Sequence, residues 1–365
     1  LGNGPSGVAW LSGKSVPEDL RNGFLVTNYR GAPKNSNIIH VSLKSKGASY
    51  AIDRNSILVE GVAVCDVELG YDGNLYLADY GGGWSVNKNG TIQVMRPTDP
   101  QKRALGKEIS LAFKKGFYDR SIPELKLLLS HDDQRVRQAA QFAIVQKGSE
   151  ATDTLTAIMD EGDNKNQASL HALWGLGQLY RNGEKSAADP LVKSLSSENA
   201  EIRANAARTC GDIGLSSSME PLISLLNDSS KRVVSLAAVA LGRVAPSGDK
   251  LAVEALFKRC MSNEGSSFDV TVRHAILSAL SRLASPEQTL SMAKADSFEQ
   301  RMLSLLVCRR LGHPHLDLFL DDESPAIRSE AVSAIYDTNA LDSPSGKKLI
   351  PMNLENFPFH QQVRL

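Results

Sequence analysis

The N-terminal quarter of the chain alternates apolar and polar residues with a period of two. β-Branched and aromatic residues fill these runs, and Gly, Asn and Asp separate them. Such a pattern predicts β-strands, which we place at residues 23–29, 37–43, 64–69, 74–79 and 91–95. Tyr71-Asp-Gly-Asn74 contains an Asp-Gly pair, which tolerates positive φ and predicts a tight hairpin. We therefore expect an all-β unit over residues 1–97.

The pattern changes between Pro97 and Pro100. From Lys102 onward the apolar positions recur at i, i+3 and i+4, which is typical of amphipathic helices. We predict a linker helix over 98–117 and a helical domain over 118–340. A final segment over 341–365 looks like the opening of another helix, cut short. The fold class expected is therefore α+β with more than one domain.

The helical part repeats itself. Alignment of the second helix of each unit on its small or apolar face superposes Ala140, Ala172, Ala206, Ala237 and Ile276, which are 32, 34, 31 and 39 residues apart. Spacings of this size indicate a solenoid, in which each helix pair hides an apolar stripe against its neighbours. We predict about seven such pairs.

Local capping signals agree with this division into helices. Ser121 and Ser285 each precede a Glu or Gln by three residues, with Pro in the first turn, which is the pattern of a capping box. Pro325 follows Ser324 in the same way. These independent signals predict the same helix starts.

Composition narrows the classes of partner. Lys plus Arg and Asp plus Glu both number 41, so no overall field favours nucleic acid or an anionic membrane surface. No apolar run approaches the roughly 20 residues of a membrane-spanning helix. We therefore predict no nucleic-acid partner and no membrane insertion. The four cysteines, Cys65, Cys210, Cys260 and Cys308, show no CxxC spacing and are interpreted as buried thiols.

Two resemblances follow from these motifs. The helical units, with an acidic residue, then Val-Arg or Ile-Arg, then Ala-Ala and Gly, resemble HEAT repeats of the kind named from phycobiliprotein lyases. Segments Gly4–Trp10, Asn22–Gly31, Cys65–Asp79 and Gly90–Met95 resemble the last blades of a glucose/sorbosone dehydrogenase-type β-propeller. A propeller followed by HEAT-like repeats is similar to a bacterial family of membrane-bound dehydrogenase-like proteins with a haem-binding domain. This resemblance implies a periplasmic or exported protein.

The resemblance also bears on cofactors. In quinone-dependent sugar dehydrogenases, arginines before a late Asp hold the carboxylates of pyrroloquinoline quinone. The matching positions before Asp66 are Ala63 and Cys65, and only Arg30 could replace an arginine from the preceding strand. We therefore expect no cofactor within these residues. The family implies a c-type haem, and a quinone or calcium ion, in other parts of such a protein.

Five residues at predicted strand ends are candidates for binding a ligand at the mouth of a propeller channel. They are Tyr29, Arg30, Asp66, Asp79 and Trp84. The alternative for the two aspartates is that they accept hydrogen bonds from backbone N–H groups and stabilise turns. The alternative for Trp84 is a structural role, in which its side chain fills the interior of its loop.

Three further clusters favour structural interpretations. His313-Pro-His315 with Asp317 has metal-binding residue types, but two histidines around a proline indicate a loop. The basic residues of 102–107 and 114–115 are interpreted as a solvated helix face. His171 and Trp174 are assigned to the core of a repeat.

Two functions remain open at this stage. The first is a HEAT-repeat interaction scaffold that binds a protein or carbohydrate partner, attached to a propeller within a larger exported protein. The alternative is part of a periplasmic sugar-type dehydrogenase that passes electrons to a c-type haem domain. The sequence contains no complete catalytic constellation and predicts no metal site, so enzymatic activity, if any, is expected to be that of an oxidoreductase.

Overall fold

The computed structural model describes residues 4–85, 88–160, 167–260, 269–338 and 343–349. Within them the last strand ends at Met95 and the first α-helix begins at Pro100, so the predicted change from strands to helices is confirmed. The chain forms two compact units, Leu1–Pro190 and Leu191–Leu365. The predicted final segment over 341–365 lies outside the described residues except for 343–349.

The first sheet is a four-stranded antiparallel meander in chain order. Its strands are β1 (Pro5–Leu11), β2 (Gly23–Asn28), β3 (Asn37–Lys46) and β4 (Ser49–Glu60). The periodicity did not predict β4, whose residues are exposed or half-buried along its whole length. Alternation marks a strand only where one face is buried, so a strand solvated on both faces gives no such signal.

The second sheet is a three-stranded antiparallel meander of β5 (Val64–Leu69), β6 (Leu75–Asp79) and β7 (Thr91–Met95). The predicted hairpin between β5 and β6 is confirmed. Gly73 has a φ of 76°, and the Asp72 carboxylate accepts a hydrogen bond from Asn74 N at 3.1 Å. The two sheets share a buried apolar cluster that includes Leu11, Leu25, Ile38, Val64, Val67 and Leu77.

The helices follow in chain order. Those of the first unit are α1 (Pro100–Lys115), α2 (Ile122–Leu128), α3 (Gln134–Val145), α4 (Glu150–Asp160) and α5 (Ala168–Arg181). Next come α6 (Ala188–Ser194), α7 (Ala200–Asp212), α8 (Met219–Leu225), α9 (Lys231–Val244), α10 (Lys250–Arg259), α11 (Val270–Leu283), α12 (Pro286–Ser291), α13 (Phe298–Leu311), α14 (Pro325–Asp337) and α15 (Pro344–Leu349). A 3-10 turn, Leu316–Phe319, takes the place of a first helix before α14.

Within the first unit the sheets pack directly on the helices. A Cβ on Gly106 of α1 would lie 2.1 Å from the carbonyl oxygen of Asp72, so glycine permits this close approach to the β5–β6 turn. The rings of Tyr71 and Phe113 stack at 3.9 Å. Arg135 of α3 donates a hydrogen bond to the carbonyl oxygen of Leu69 at 2.5 Å. Strands and first helices therefore form one body.

The predicted repeat register is confirmed by burial. Ala140, Ala172, Ala206, Ala237 and Ile276 lie on α3, α5, α7, α9 and α11, and all are fully buried. Both predicted capping boxes are present. Glu124 Oε2 accepts from Ser121 N at 2.9 Å, and Gln288 Oε1 accepts from Ser285 N at 2.8 Å.

Small residues bring the second helices of the second unit close together. A Cβ on Gly211 would lie 2.7 Å from Cα of Ala240, and one on Gly242 would lie 2.8 Å from Cα of Ala279. Consequently α7 lies against α9, and α9 against α11, with their backbones in near contact.

Three of the four cysteines are buried as predicted. Burial raises the pKa of Cys210, Cys260 and Cys308 to about 12, so these thiols stay protonated and unreactive. The prediction for Cys65 is wrong. It is only half-buried, because its strand β5 turns this side chain away from the shared core, and its Sγ lies 3.2 Å from the Ala78 carbonyl oxygen.

Among the residues that the structure describes, no helix has both the length and the apolar character needed to cross a membrane.

Candidate functional site

The structure brings together two of the five residues predicted to bind a ligand. The ring of Tyr29 meets that of Trp84 edge to face, with 5.3 Å between ring centroids, and Tyr80 contacts Tyr29 at 5.7 Å. The Tyr29 hydroxyl donates to the carbonyl oxygen of Gly83. Trp84 packs on Gly31, yet 77% of its surface is exposed. We call these residues, Tyr29, Tyr80 and Trp84, the aromatic cluster.

Asp79 supports the loop that carries Trp84. Its carboxylate accepts from Gly81 N at 2.8 Å and from the Gln93 side chain at 2.5 Å. Gly81, Gly82 and Gly83 all have positive φ, which only glycine adopts without strain. Asp79 therefore acts as a turn-stabilising residue, in agreement with the alternative interpretation from the sequence.

The other two candidates, Arg30 and Asp66, form hydrogen bonds with residues outside the aromatic cluster. Asp66 is exposed, and its carboxylate accepts from Val67 N at 2.9 Å. Arg30 is also exposed, and its backbone N donates to the Ser36 hydroxyl at 2.9 Å. Among the described residues, no hydrogen bond or ion pair joins either side chain to the aromatic cluster.

The chemistry of the aromatic cluster is that of a stacking surface. Burial, followed by the nearby Tyr80, Cys65 and Asp79, raises the pKa of Tyr29 above its usual value. The phenol therefore stays protonated at neutral pH and donates its hydrogen bond to the loop. The indole of Trp84 offers a fixed, exposed ring against which a flat apolar surface could pack.

His313 and His315 lie in a loop between α13 and the 3-10 turn Leu316–Phe319. His313 Nδ1 accepts from the backbone N of His315 at 3.1 Å, and Asp317 is held by the Ser345 hydroxyl, which accepts from its backbone N at 3.0 Å. Among the described residues, no group of His, Cys, Asp and Glu side chains lies close enough together to hold a metal ion.

The interpretation of the basic segment as a solvated face is wrong for Lys102. Its ammonium donates to the carbonyl oxygens of Lys14 and Val16 at 3.3 and 3.2 Å, so it ties α1 to the loop after β1. Lys107, Lys114 and Lys115 are exposed as expected.

The assignment of His171 and Trp174 to the repeat core holds for the histidine. His171 is buried, whereas Trp174 is only half-buried. The two rings meet edge to face at 5.0 Å.

A repeated arginine clamp, which sequence reasoning missed, organises the turns between paired helices. Four arginines stand at the fourth residue of a second helix: Arg137, Arg203, Arg301 and Arg328. In each of them Nη1 donates to the two carbonyl oxygens five and six residues earlier, at distances of 2.6 to 3.0 Å. Each clamp fixes the turn that precedes its own helix.

Two clamps also bind the following turn. Arg203 Nε and Nη2 lie 2.7 and 3.0 Å from the carboxylate oxygens of Asp228, and Arg301 Nε and Nη2 lie 2.8 and 3.3 Å from those of Asp322. The hydrogen bonds that Arg203 donates to Asp228 raise the pKa of Arg203. For Asp228 burial raises the pKa, but the bonds from Arg203 and Ser230 N outweigh it and lower the pKa overall.

The clamps could have been sought from the Val-Arg or Ile-Arg pair, since the arginine of that pair is the clamp residue. In the sequence this pair indicated only that the unit repeats, because nothing local shows that Arg203 reaches a carboxylate 25 positions later.

The exposed edges of the second helices in the second unit carry charges of both signs. Arg232 of α9 pairs with Glu201 of α7 at 3.2 Å near the start of both helices. Arg243 pairs with Asp212 near the ends of the same helices. The helices are therefore parallel and adjacent. We call the exposed side of α7, α9, α11, α13 and α14 the second-helix face.

The second-helix face continues through α14. Arg310 of α13 donates to the Ser278 hydroxyl of α11 at 3.2 Å. Arg309 of α13 pairs with Glu330 and Asp337 of α14. These contacts link α11, α13 and α14 into one row of neighbouring helices.

Comparison with known proteins supports the repeat assignment. Residues 153–242 and 188–268 match the family model described as HEAT repeats. No curated protein matches the chain.

Solved structures similar to this chain include three repeat or engineered proteins. The complex of CpcE and CpcF of phycocyanin lyase from Nostoc sp. is 16% identical over 64% of this chain and 93% of that chain, with a TM-score of 0.35. An engineered protein is 17% identical over 73% of this chain and 85% of its own, with a TM-score of 0.36. Computationally designed armadillo repeat proteins for modular peptide recognition are 17% identical over 59% and 98%, with a TM-score of 0.33. On the family match, the helical part of this chain contains HEAT-like repeats.

Proposed function

We propose that this chain is a protein-interaction scaffold whose partner binds the second-helix face. The observation that carries this proposal is the continuity of that face, which runs over five neighbouring helices of one unit. Repeat arrays present extended surfaces of this kind, because each added pair lengthens the row without changing its core.

The mixture of charges favours a protein as the partner. The arginines of α9 and α13 on this face are paired with carboxylates of α7 and α14, so these charges present no single sign to attract a polyanion. Pairs as exposed as Arg232 with Glu201 contribute about 0–1 kcal/mol each. A partner can therefore replace them with its own charged groups at little cost.

Site-specific photo-cross-linking tests whether the partner binds the second-helix face. A photoreactive residue at Arg273, exposed on α11, should cross-link the partner, whereas the same residue at Glu254, exposed on the first helix α10, should not. With the cross-linked partner purified, Arg273→Glu combined with Arg310→Glu should weaken binding by about tenfold or more. Glu254→Arg serves as the matched control.

Two results would contradict the proposal. One is cross-linking from Glu254 that equals or exceeds that from Arg273. The other is an unchanged affinity of the folded double variant, which would move the binding surface away from the second helices.

We also propose that the two sheets are successive blades of a β-propeller. Propeller blades are four-stranded antiparallel meanders. The first sheet has this order, and the second has three strands of it in the described residues, with β1 packed beside β5. Cryo-electron microscopy of the full-length protein tests this: a ring of sheets supports it, and two sheets with free outer edges contradict it.

The finer predictions rest on the resemblance alone. These are sugar oxidation, a carbohydrate partner, a c-type haem with a quinone or calcium ion elsewhere, and a periplasmic location. Sugar-dependent reduction of an artificial electron acceptor by the full-length protein would support the oxidoreductase alternative. No reduction with any sugar would remove it.

A further inference from the structure

The second-helix face carries a row of charged residues at one matching position near the helix ends. The thirteenth residue of each second helix belongs to this row. On α7, α9, α11, α13 and α14 these residues are Asp212, Arg243, Arg282, Arg310 and Asp337, and all five are exposed. Neighbouring helices contact each other close to these positions, so the five side chains lie side by side across the face. We call them the end row.

The two outer members of the end row are aspartates, and both are paired. Asp212 pairs with Arg243 of the row and lies 3.6 Å from Arg208 of its own helix. Asp337 pairs with Arg309, the residue before the row on α13. The two ends of the row are therefore neutralised within the chain.

The two central arginines of the end row are different. Within the part of the chain that the structure describes, no carboxylate forms an ion pair with Arg282 or Arg310. The carboxylate of Glu287, shortly after α11, accepts a hydrogen bond from the Ser285 hydroxyl at 2.8 Å instead. Arg310 Nη1 donates to the Ser278 hydroxyl of α11 at 3.2 Å, one helical turn before Arg282. Since residues one turn apart lie about 5–6 Å from each other, two positive charges meet here without a bound anion.

The position near the helix ends does not by itself account for these arginines. A cation near the C-terminus of a helix interacts favourably with the helix dipole. The same position is nevertheless an aspartate on α7 and on α14, so the repeat does not require an arginine there. Two neighbouring cations repel each other, and a bound anion would relieve this repulsion. The centre of the end row is therefore suited to bind carboxylates, which match the planar fork of an arginine.

We infer that the partner of the second-helix face, whose existence rests on the proposed function, binds through an extended acidic segment that crosses the end row. Two of its carboxylates pair with Arg282 and Arg310, and a third replaces Asp212 on Arg243. Neighbouring helices lie about 8–10 Å apart. Residues i and i+3 of a polyproline II segment are about 9 Å apart, so one acidic residue in every three matches one arginine on each helix. With three cations and two anions, the row has too little net charge to hold nucleic acid.

Fluorescence anisotropy with the full-length chain at constant ionic strength tests the acidic character of the ligand. The probe is a labelled, blocked Glu-Pro-Pro-Glu-Pro-Pro-Glu peptide, in which the glutamates recur at every turn of a polyproline II helix. We expect saturable binding of this probe and no binding of the corresponding Gln-Pro-Pro-Gln-Pro-Pro-Gln peptide. No saturable binding of the acidic probe, or tighter binding of a single-stranded oligonucleotide of the same charge, would overturn the inference.

Single variants locate the contact on the face. Arg282→Gln and Arg310→Gln should each weaken binding of the acidic probe by about twofold to fivefold, as expected for one exposed ion pair. Arg273→Gln removes the same charge nine residues earlier on α11, about 14 Å along the helix from Arg282, and should leave the affinity unchanged. All three side chains are exposed, so we expect the variants to fold. Equal losses in all three would show a general effect of charge and overturn the inference.

A charge swap tests the register of the segment on the row. Arg282→Glu should weaken binding of the all-glutamate probe by about fivefold or more, and a probe with lysine at the central position should recover part of this loss. No recovery would overturn the inference. The proposed scaffold would survive that result if the photoreactive residue at the position of Arg273 still cross-links a partner, because only the acidic character of the partner would then be wrong.

Discussion

Gly211 of α7 lies so close to Ala240 of α9 that a Cβ on the glycine would stand 2.7 Å from both Cα and Cβ of the alanine. Alanine is the better helix former by about 0.5–1 kcal/mol. We nevertheless expect Gly211→Ala to lower the free energy of unfolding by about 1–3 kcal/mol, because the two backbones must separate. Urea denaturation measures the difference.

The reciprocal change isolates this contact. Ala240→Gly in the Gly211→Ala background moves the methyl group to the other helix and should restore part of the lost stability. A double variant no more stable than Gly211→Ala would show that the loss has another origin than this helix contact.

The buried clamp of Arg301 on Asp322 should be worth far more than a surface ion pair. Their side chains are 8% and 5% exposed, so Arg301→Met leaves a buried carboxylate without its partner. We expect a loss of about 3–5 kcal/mol for this single change. The exposed pair Arg208–Asp212, at 66% and 36%, should contribute about 0–1 kcal/mol by the same unfolding measurement.

A double-mutant cycle separates the pair from the other bonds of Arg301. Combining Arg301→Met with Asp322→Asn should cost less than the sum of the single changes, because no uncompensated charge remains. Additive losses would mean that the carbonyl bonds, and not the carboxylate, carry the stability.

His171 should make the first unit sensitive to acid. Burial, and then the charge of Arg137, lower its pKa from 6.5 to about 4. Its Nδ1 lies 2.8 Å from Gln141 Oε1, a bond that the neutral ring donates. Between pH 6.5 and 4 the unfolded chain binds more protons at this residue, so stability falls as the pH falls through that window.

The size of this effect follows from the two pKa values. Full protonation would cost roughly 3 kcal/mol, of which about 2 kcal/mol should be lost between pH 7 and pH 5. His171→Asn, which retains a donor near Nδ1, should remove this part of the pH dependence in urea denaturation. His274→Asn on the exposed side of α11 is the control and should leave it in place.

The sequence predicted the helices well, because their signals are local. Apolar spacing, the small residues at the position of Ala206, and capping boxes such as Ser285 with Gln288 each lie within one or two helical turns. Strand β3 was found for the same reason, since its apolar, β-branched residues lie together in the buried stretch from Ile38 to Val41. β4 was missed because it is solvated along its length and therefore lacks the alternation.

The candidate sites were harder to predict because they depend on distant contacts. Tyr29 and Trp84 were selected as strand-end residues, but only the fold shows that they touch each other while Arg30 does not join them. Arg137 and Arg203 share one motif, and only the three-dimensional structure shows that Arg203 binds the carboxylate of Asp228 while Nε of Arg137 has no hydrogen-bond partner.

Tyr29 should hold the glycine-rich loop in place. Tyr29→Phe removes the hydrogen bond to the Gly83 carbonyl oxygen but keeps the ring contact with Trp84. We expect faster hydrogen exchange at Gly81–Trp84, with global stability changed by no more than about 1 kcal/mol. Tyr80→Phe, which loses a bond to Ser85, is the matched control, and equal exchange in both variants would contradict a specific role for Tyr29.

The strands should need the first helices in order to stay in solution. Residues 1–97 alone lack α1 and α3, so they lose the stacking of Phe113 on Tyr71 and the bond from Arg135 to Leu69. Their edge strand β4 also exposes Tyr50 and Ile57 to about half of their surface, and unprotected apolar edges promote association. On size exclusion we expect residues 1–97 to aggregate and residues 1–190 to elute as a single species with a cooperative melt. A monodisperse 1–97 fragment with its own cooperative transition would show that the sheets fold without the helices, and the packing of α1 on the β5–β6 turn would then contribute little to stability.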